Sequence, residues 1–438
     1  MTGTAAKRRY RLQPSASVRG ELRMPGDKSI SHRALMLGGI AQGVTEVSGF
    51  LASEDCLATL SALRAMGVTI ERPQQTQVRV HGVGRDGLSA AGAPLDLGNA
   101  GTAIRLLIGL LAGQRFDSTL IGDASLMRRP MERVAQPLRT MGARIDTTDG
   151  KPPVHIHGGA SLSAIDYVMP MASAQVKSAV LLAALYASGT SSVTEPAPTR
   201  DHTERMLRDF GVELTQQQRT VRMAGGQTLR GCRVEVPGDF SSAAFFIVAG
   251  CLGARDGLTL RDVGVNPTRT GLLDMLRMMG ANIEVRPRAD SSAEPIADIH
   301  VRSSPLRGIR VPEALVPLAI DEFPIFFIAA AAASGETVVT GAGELRVKES
   351  DRLGAMARGL QALGVSCELL PEGIRIIGGT PLRGGHIESD GDHRIAMSFA
   401  VASLLTAGPL EIDDVANVGT SFPDFPALAR AAGLKLED

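Results

Sequence analysis

Basic side chains recur in the polar turns from which apolar segments of this sequence begin. Lys28 and Ser29 stand in one such turn, and Arg33 lies four residues beyond Ser29, on the same face of a helix. In or beside the other turns lie Arg105, Arg128, Arg129, Lys177, Lys348, Arg352 and Arg394. Arginine binds phosphate and carboxylate groups through two parallel hydrogen bonds, and lysine binds them as a point charge. The turns therefore predict a site for a small polyanionic ligand.

Two carboxylates accompany these cations. Asp321 opens the most apolar segment, where it is either a helix cap or a base that accepts a proton from a ligand hydroxyl. Glu349 lies between Lys348 and Arg352, where it forms either an ordinary ion pair or an acid or base poised by its cationic neighbours. A pure anion binder gains nothing from negative charge at this place, so the two carboxylates favour an enzyme over a non-catalytic phosphometabolite-binding protein.

A repeat of roughly 70 residues must position these turns. Six times, a helix ends in a hydrophobic–Gly–hydrophobic step that an alternating strand follows. Glycine suits this step because helices often end in a left-handed residue, a conformation that glycine adopts without strain. The steps are centred on Gly67, Gly142, Gly211, Gly280, Gly364 and Gly433.

Each repeat also contains a polar turn that opens an apolar helix. Ser, Asp, Asn or Thr stands where such a helix needs a cap. Asn99 is expected to be a cap rather than a ligand contact, and Thr102 is either a cap or a ligand contact. The helices are apolar nearly all round, which predicts that they are buried beneath charged amphipathic helices. The openings begin at Pro25, Leu97, Met169, Pro237, Ile320 and Ser389.

Each unit therefore reads as strand, buried helix, strand, amphipathic helix and strand, which predicts an α/β fold. Six buried helices are too many for one core, so we expect two halves of three units each. The similar Pro-Gly-Asp openings place hinges near Gly26 and Gly238. The predicted domains are residues 25–238 for the first and residues 1–24 with 239–438 for the second.

The composition restricts partners and location. Lys plus Arg and Asp plus Glu each number 46, so no net charge attracts the chain to nucleic acid or to an anionic membrane. No apolar stretch reaches the roughly 18 residues of a membrane span. The four cysteines form no C-x-x-C pair, so neither a zinc cluster nor a disulfide framework is expected. We expect a cytoplasmic monomer without nucleic-acid or membrane partners.

The sequence does not match the motifs that are typical of phosphate-binding loops, zinc sites or covalent catalysis. Gly-Asp-Lys-Ser resembles the end of a P-loop, but Asp27 occupies the position before the lysine, where that motif needs glycine. His202 and Glu204 do not have the spacing of a zinc-protease motif, and no G-x-S-x-G elbow is present. We expect neither a metal nor a cofactor.

Seven motifs occur in the order of one known family: PGDKSISHRAL, LGNAGTAIRLL, RRPM, SAQVKSA, RVKESDRL, DHRIAMS and TSFPDF. From about residue 19 to the C-terminus they closely resemble the EPSP synthase (3-phosphoshikimate 1-carboxyvinyltransferase) family. The resemblance implies two inside-out α/β domains of three repeats each, joined by two crossovers, with the active site in the interdomain cleft. It also implies transfer of the enolpyruvyl group of phosphoenolpyruvate to the 5-hydroxyl of shikimate 3-phosphate, with release of phosphate and without a cofactor.

The resemblance also implies roles for individual residues. Lys28, Ser29 and Arg33 correspond to contacts with the shikimate phosphate and phosphoenolpyruvate. Gly101 corresponds to the glycine that lines the phosphoenolpyruvate pocket, and Arg129 to its arginine partner.

The remaining implied residues complete the mechanism. Asp321 corresponds to the base that deprotonates the 5-hydroxyl as it attacks C2 of phosphoenolpyruvate, while Glu349, with Lys28, manages the proton at C3. The implied substrate contacts also include Ser173, Ala174, Gln175, Asp321, Lys348, Arg352 and Arg394. Arg200 is a further predicted contact, although it lies near a position that is tyrosine in many members.

Some positions depart from the family pattern. Many members carry a lysine just before the Thr-Phe-Pro motif, but here Gly419, Thr420 and Ser421 precede Phe422. The stretches GDKS, SAQVK, RDHTE and NPTR resemble a subgroup that is often less sensitive to glyphosate, whereas Gly101 is the glycine of sensitive members. These features give conflicting predictions of sensitivity to glyphosate.

A second enzyme class shares the implied fold. UDP-N-acetylglucosamine enolpyruvyl transferases typically have Lys-Asn at the first turn and a cysteine in a mobile loop. This chain has Lys28 followed by Ser29, and no cysteine near Arg129. The sequence therefore favours the shikimate enzyme, with the UDP-sugar enzyme as the alternative.

Overall fold

Residues 8–289 and 294–438, which the computed structural model describes, form two compact units. The N-terminal unit consists of residues 26–236 and Glu294. The C-terminal unit consists of residues 8–25, 237–289 and 295–438. Each unit buries its apolar side chains in a hydrophobic core of its own.

Twelve α-helices occur in the described residues, and the six that follow the polar turns are buried. The buried helices are α1 Lys28–Ile40, α3 Gly101–Leu111, α5 Ala174–Ala184, α7 Phe240–Gly253, α9 Phe323–Ala332 and α11 His393–Ala402. The outer helices are α2 Glu54–Ala65, α4 Glu132–Thr140, α6 His202–Asp209, α8 Gly271–Met278, α10 Arg352–Ala362 and α12 Phe425–Ala432. Within the same residues, none of the helices has both the length and the apolar character to cross a bilayer.

The strands are short and follow the helices in a regular order. They are β1 Arg9–Gln13, β2 Gly20–Arg23, β3 Gln42–Ser48, β4 Thr69–Gln74, β5 Gln77–Val83, β6 Leu95–Asp96, β7 Ser118–Ile121, β8 Arg144–Thr148, β9 Lys151–His157, β10 Asp166–Val168, β11 Thr190–Thr194, β12 Leu214–Gln217, β13 Thr220–Ala224, β14 Arg233–Glu235, β15 Leu258–Gly264, β16 Asn282–Pro287, β17 Ile296–Arg302, β18 Gly335–Val339, β19 Ser366–Leu370, β20 Gly373–Gly378, β21 Gly385–Glu388, β22 Leu410–Asp413 and β23 Lys435–Glu437.

The described strands form six sheets, one for each repeat. The N-terminal unit has the orders β14–β3–β5–β4, β6–β7–β9–β8 and β10–β11–β13–β12, and the C-terminal unit has β2–β15–β17–β16, β18–β20–β19 and β21–β22–β1–β23. In each four-stranded sheet the first pair is parallel and the other two pairs are antiparallel. A parallel pair needs a crossover connection, which a buried helix supplies directly for β6–β7, β10–β11 and β21–β22.

Three of the sheets contain strands that are distant from one another in the sequence. β2 pairs with β15, and β1 pairs with β22 and β23, so residues 8–25 belong to the C-terminal unit. β14 pairs with β3 and closes the first sheet of the N-terminal unit. The chain thus passes from the C-terminal to the N-terminal unit after Pro25 and returns after Val236. The predicted fold class of two α/β domains, each with three repeats, is confirmed.

The buried helices pack against one another inside each unit. α3 contacts α1 and α5, while α9 contacts α7 and α11. The approach of α3 to α5 is close at Gly109, where an added Cβ would lie 2.2 Å from the carbonyl oxygen of Ala179. Sheets contact these helices from outside, for example β5 against α1 and β20 against α9. The inside-out arrangement places the starts of the buried helices, and not the sheets, at the polar turns.

Side chains cap four of the buried helices, as predicted, but the predicted caps at α3 and α9 are wrong. No described side chain bonds to the first N–H groups of these two helices. Asn99 instead bonds to Arg129 and Asp123, and Thr102 lies inside α3. α9 carries Pro324 in its first turn, which removes one N–H group that a cap would bind. The confirmed caps are Asp27, Ser173, Asp239 and Asp392.

The six predicted glycine steps all have left-handed backbones. Their φ angles range from 84° at Gly211 to 113° at Gly433. A residue with a Cβ is strained in this region by roughly 1–2 kcal/mol. The period of the sequence therefore reflects a backbone requirement that recurs at the end of each outer helix.

We expect Gly211→Ala to lower the free energy of unfolding of the N-terminal unit by about 1 kcal/mol. No atom lies within 4 Å of a Cβ added there, so the cost comes from the backbone alone. Urea denaturation followed by circular dichroism measures the change. Gly92→Ala is the control, because Gly92 has equal space but no positive φ, and its stability should stay unchanged or rise. Equal midpoints for the two variants would contradict the backbone explanation.

Candidate functional site

The predicted site residues form two groups, one in each unit, and most lie at the starts of helices. The first N–H groups of a helix and its positive dipole end favour anions, so this placement suits a polyanionic ligand. The N-terminal group consists of Lys28, Ser29, Arg33, Gly101, Arg129, Ser173, Ala174, Gln175 and Arg200. The C-terminal group consists of Asp321, Lys348, Glu349, Arg352 and Arg394.

Lys28, the first residue of α1, is held by Asp55 in the first turn of α2. Its Nζ contacts Oδ2 of Asp55, a buried carboxylate, while the Lys28 side chain remains 20% exposed. Asp55 therefore fixes the ammonium group at the turn. Sequence analysis missed Asp55, because an acidic residue at a helix start is typical of a favourable dipole interaction and has no further meaning by itself.

Arg33 lies one turn further along α1 and is buried. Its guanidinium donates to the carbonyl oxygen of Ser29 at 2.9 Å, to Oγ1 of Thr203 at 2.7 Å and to Oγ of Ser178 at 2.9 Å. Burial lowers the pKa of Arg33 to about 10, although Glu204 and Asp27 act in the opposite direction. Arg33 thus ties the first turn of α1 to α5 and α6.

Gln175 connects the starts of α5 and α3. Its Oε1 accepts a hydrogen bond of 2.7 Å from Nη1 of Arg105, and its Nε2 donates to Oγ1 of Thr102 at 3.0 Å. Arg105 also donates to the carbonyl oxygen of Pro130 at 3.2 Å. These bonds compensate for part of the cost of burying a guanidinium in helix α3.

Gly101 leaves space for two arginines at the start of α3. A Cβ at Gly101 would lie 2.6 Å from Nη1 of Arg129 and 3.3 Å from Nη1 of Arg105. Arg129 follows the short 3₁₀ helix Leu126–Arg128 and donates from Nη2 to Oδ1 of Asn99 at 2.6 Å. The structure therefore brings Gly101 and Arg129 together, as the sequence predicted.

The start of α5 presents three half-buried residues in succession. Oγ of Ser173 accepts a hydrogen bond from the N–H of Val176 at 3.4 Å, and Ala174 and Gln175 follow it in the first turn. Arg200 is also half-buried and stands two residues before α6.

Lys177 does not join the cations of the turns. Its Nζ is fully buried and lies 2.7 Å from Oε1 of Glu204 and 3.0 Å from Oε2 of Glu195. Burial alone would lower the pKa of Lys177, but the two glutamates outweigh it and the pKa is raised. Its inclusion among the ligand-binding cations was wrong, because one helical turn beyond Ser173 carries it into the core.

Arg352, the first residue of α10, organises the C-terminal group. Its side chain is 1% exposed and donates from Nε to Oδ2 of Asp392 at 2.8 Å and from Nη2 to Oε2 of Glu349 at 2.6 Å. Nη1 donates to Oδ1 of Asp321 at 3.3 Å. Burial alone would lower the pKa of Arg352, but the three carboxylates outweigh it and the pKa is raised. The buried positive charge thus draws Asp321 and Glu349 to one place.

The other two cations of the group flank Asp321. Nζ of Lys348 lies 3.6 Å from Oδ1 of Asp321. Nη1 of Arg394 donates to the backbone oxygen of Asp321 at 2.8 Å and lies 3.5 Å from Oε1 of Glu322. Asp321 is therefore not a helix cap. The structure brings all five predicted residues of the C-terminal group together.

Asp392 and Glu322 are parts of this arrangement that sequence analysis missed. Asp392 is buried, caps α11 through the N–H of Arg394 at 2.9 Å and binds Arg352. Burial alone would raise the pKa of Asp392, but Arg352 outweighs it and the pKa lies below its ordinary value. The only signal in the sequence was the capping position, which does not reveal a partner on another helix.

Residues 417–422 include the position where many family members carry a lysine. In this chain they form hydrogen bonds that stabilise the turn before α11. Nδ2 of Asn417 donates to the carbonyl oxygen of Gly391 at 2.5 Å, and Oγ1 of Thr420 donates to the backbone oxygen of Asn417 at 2.7 Å. Phe422 packs in the core against Phe425, with 5.6 Å between ring centroids. This segment therefore contributes structure where many family members have a cation.

One cluster of possible metal ligands occurs within the described part of the chain. His386, Glu388 and Asp413 can each direct an atom to a common point. His386 and Glu388 are exposed, and Asp413 already accepts hydrogen bonds from Arg9. The Arg9 guanidinium occupies the carboxylate oxygens that a metal ion would need. The cluster is therefore a surface ion-pair network.

The two groups differ in what they can do chemically. The N-terminal group offers cations, hydroxyl and amide groups and the N–H groups of helix starts, which bind and orient anions. The C-terminal group adds two half-buried carboxylates, Asp321 and Glu349, which can accept and donate protons next to bound anions.

The chain is similar to proteins of one family along nearly its whole length. The family model for EPSP synthase (3-phosphoshikimate 1-carboxyvinyltransferase) matches residues 12–428. A curated relative from Methylococcus capsulatus, named 3-phosphoshikimate 1-carboxyvinyltransferase, is 59% identical over 425 residues, which are 97% of each chain. A relative of the same name from Alkalilimnicola ehrlichii is 58% identical over 428 residues, 98% of this chain and 96% of that one.

Solved structures agree with this similarity. EPSP synthase from Acinetobacter baumannii superposes with a TM-score of 0.87 at 53% identity, covering 98% of this chain and 99% of that one. The enolpyruvyl transferase NikO from Streptomyces tendae has a TM-score of 0.81 at 17% identity, covering 99% of each chain, and shows the shared fold alone.

We expect Arg352→Leu to lower the free energy of unfolding of the C-terminal unit by about 3–5 kcal/mol at pH 7, because Asp392 is left buried without its counter-charge. The folded-state pKa of Asp392 in the parent lies below its unfolded value, so its pairing stabilises the parent above about pH 4 and less as the pH falls through the folded value. In the variant, burial alone raises that pKa. The deficit should therefore shrink between pH 7 and pH 4.5.

Thermal denaturation at the two pH values measures this deficit. Arg358→Leu is the matched control on the same helix, since Arg358 is 63% exposed and pairs with Asp390 at the surface. That variant should lose less than about 1 kcal/mol. A deficit in Arg352→Leu that is small, or equal at both pH values, would show that the charge of Arg352 does not hold this site together.

Proposed function

The chain belongs to the EPSP synthase family, and we propose that its two groups of site residues act together on both substrates of the family's reaction. The chain transfers the enolpyruvyl group of phosphoenolpyruvate to the 5-hydroxyl of shikimate 3-phosphate in aromatic amino-acid biosynthesis. The observation that carries the proposal is the buried Arg352, which holds two half-buried carboxylates beside Lys348. Such carboxylates serve proton transfer and would only weaken a simple anion binder.

The reaction is an addition followed by an elimination. The 5-oxygen of shikimate 3-phosphate loses its proton and bonds to C2 of phosphoenolpyruvate, while C3 gains a proton, and the product of this step is a tetrahedral intermediate. C3 then loses a proton, the C2–O bond to phosphate breaks, and the double bond forms again. Two polyanions must be held in contact throughout, which requires fixed cations and oriented N–H groups.

We assign shikimate 3-phosphate mainly to the N-terminal group. The start of α5, with Ser173 and Ala174, offers N–H groups and a hydroxyl to the 3-phosphate. Ser29 and Lys28 add a hydroxyl and a charge from the start of α1, and Arg200 adds a second cation. Arg33 remains a predicted contact of the substrates, and its bond to the carbonyl oxygen of Ser29 also supports this site.

We assign phosphoenolpyruvate to residues of both groups. Arg129 offers a charge beside the small residue Gly101, and Gln175 joins α3 to α5 next to them. Lys348 and Arg394 supply charges from the C-terminal unit. Arg352 remains a predicted contact of this substrate, and its bonds to carboxylates support a positioning role as well.

The proton transfers are assigned to the carboxylates and to Lys28. Asp321 is the base for the 5-hydroxyl, because it is half-buried and held between Lys348 and Arg352. Glu349, with Lys28, gives a proton to C3 and takes it back. Both carboxylates are bound to Arg352, which limits their orientations.

The assignment requires both units to act on the same pair of substrates. We propose that residues 25–238 and residues 1–24 with 239–438 are the two catalytic domains and that the site lies in the cleft between them. Exclusion of water on closure strengthens the electrostatic interactions of a bound anion. We also propose that the enzyme works in the cytoplasm as a monomer and needs no metal or cofactor.

Asp321→Asn should lower kcat by about 100- to 10,000-fold while the Kd for shikimate 3-phosphate stays within about threefold. Asparagine keeps the shape of the side chain but does not take the proton of the 5-hydroxyl. Phosphate release gives kcat, and isothermal titration gives Kd. Asp274→Asn, on the exposed side of α8, is the control and should match the parent. More than a tenth of the parental kcat in Asp321→Asn would remove Asp321 from the role of base.

Phosphate release from phosphoenolpyruvate tests the function itself. We expect one phosphate for each shikimate 3-phosphate consumed and none when either substrate is omitted. UDP-N-acetylglucosamine as the acceptor should give no phosphate. Release with the UDP-sugar alone would assign the chain to the other enolpyruvyl transferase class. Binding of shikimate 3-phosphate without any release would make it a non-catalytic binding protein.

A further inference from the structure

A cluster of buried charges lies in the N-terminal unit beneath the predicted site. Lys177 belongs to α5, Glu195 follows β11, and Glu204 belongs to α6. Their side chains are at most 4% exposed, and Nζ of Lys177 lies 2.7 Å from Glu204 and 3.0 Å from Glu195. One ammonium group therefore faces two carboxylates from different elements.

Arg33 supplies the second positive charge of this region. Ser178 directly follows Lys177, and Thr203 directly precedes Glu204. Thr203 donates to Oγ of Ser178 at 2.7 Å, and Arg33 donates to both hydroxyl oxygens. Glu204 also acts against the lowering of the Arg33 pKa by burial. Lys177 and Arg33 thus both lie close to Glu204, and Asp27, Arg200 and Glu294 also act on Arg33.

The charge cluster anchors the segment that carries Arg200. Nζ of Lys177 donates to the carbonyl oxygen of Thr199 at 3.5 Å, and Oγ1 of Thr199 donates to Oε1 of Glu195. The residue before Arg200 is therefore bound through both its backbone and its side chain. Through Arg33, the same region also reaches the carbonyl oxygen of Ser29.

We propose that Lys177, Glu195 and Glu204 are positioning residues for the recognition of shikimate 3-phosphate, acting through Arg200 and Ser29. The inference rests on the proposed function. Buried ion pairs add little stability compared with well-packed apolar residues of similar volume, so stability alone does not explain the cluster. The ion pair of Lys177 with Glu204 links α5 to α6, and the bonds of Lys177 and Glu195 to Thr199 link both to the segment between β11 and α6.

The proposal predicts different effects on the binding of the two substrates. Arg200 and Ser29 are assigned to shikimate 3-phosphate, and they lie on the elements that the cluster joins. Most residues assigned to phosphoenolpyruvate lie on other elements, in the C-terminal unit and around the start of α3. Gln175 is the exception on α5, and its side chain is held by Arg105 and Thr102 of α3. Damage to the cluster should therefore weaken binding of shikimate 3-phosphate and leave the KM for phosphoenolpyruvate nearly unchanged.

Three variants of the full chain test this prediction. Lys177→Met keeps the length of the side chain and removes its charge. Lys177→Met/Glu204→Gln removes one charge of each sign and so keeps the region balanced. We expect the Kd for shikimate 3-phosphate alone, measured by titration calorimetry, to rise about tenfold or more in both. Thr199→Val removes a single hydroxyl and should raise this Kd about threefold, while the KM for phosphoenolpyruvate stays within threefold throughout.

Val180→Ala is the matched control, because Val180 lies on the same buried helix and its truncation lowers stability without removing a charge. Its Kd should stay within twofold of the parent. Circular dichroism establishes which variants fold. If neither Lys177 variant folds, the Kd of Thr199→Val for shikimate 3-phosphate tests the proposal. Folded cluster variants with the parental Kd, or an equal rise in Val180→Ala, would overturn the proposal. A parent without phosphate release would instead overturn the proposed function.

Discussion

The C-terminal site depends on one buried guanidinium surrounded by three carboxylates. Arg352 binds Asp321 before α9, Glu349 before α10 and Asp392 at the start of α11. Separating Arg352 from Asp392 would leave a charge in the interior without compensation, which costs several kcal/mol, because both side chains are buried. The three helix starts are therefore fixed relative to one another. Arg33 has the corresponding position in the N-terminal unit, where it joins α1, α5 and α6 through neutral oxygens.

This constraint explains how a neutral chain can hold two polyanions. The inside-out repeat brings helix starts to the polar turns, and each start contributes N–H groups and a positive dipole end. The buried arginines keep the starts in place, while Lys28, Lys348 and Arg394 remain near the surface to contribute charge. Carboxylates occur among the predicted site residues of the C-terminal group, which agrees with its assignment to proton transfer.

The repeat and the buried helices could be predicted because both follow from local rules. A left-handed backbone at Gly211 or Gly433 calls for glycine whatever surrounds it, and an apolar helix such as α9 must be buried. The candidate site residues were taken from motifs, and their roles stay predictions. Asp55 and Asp392 were missed, and Lys177 was misread, because their partners lie on other helices. Asn99 failed as a cap for the same reason: the bond to Arg129 is long-range.

The central claim is that both groups grasp the same two ligands. A crystal structure with shikimate 3-phosphate and an unreactive phosphoenolpyruvate analogue tests it most directly. The account predicts that Ser173 and Arg129 from one unit, and Asp321 and Lys348 from the other, have polar atoms within about 3.2 Å of the bound ligands. Ligands that contact residues of only one unit, with Asp321 remote from the 5-hydroxyl, would contradict it.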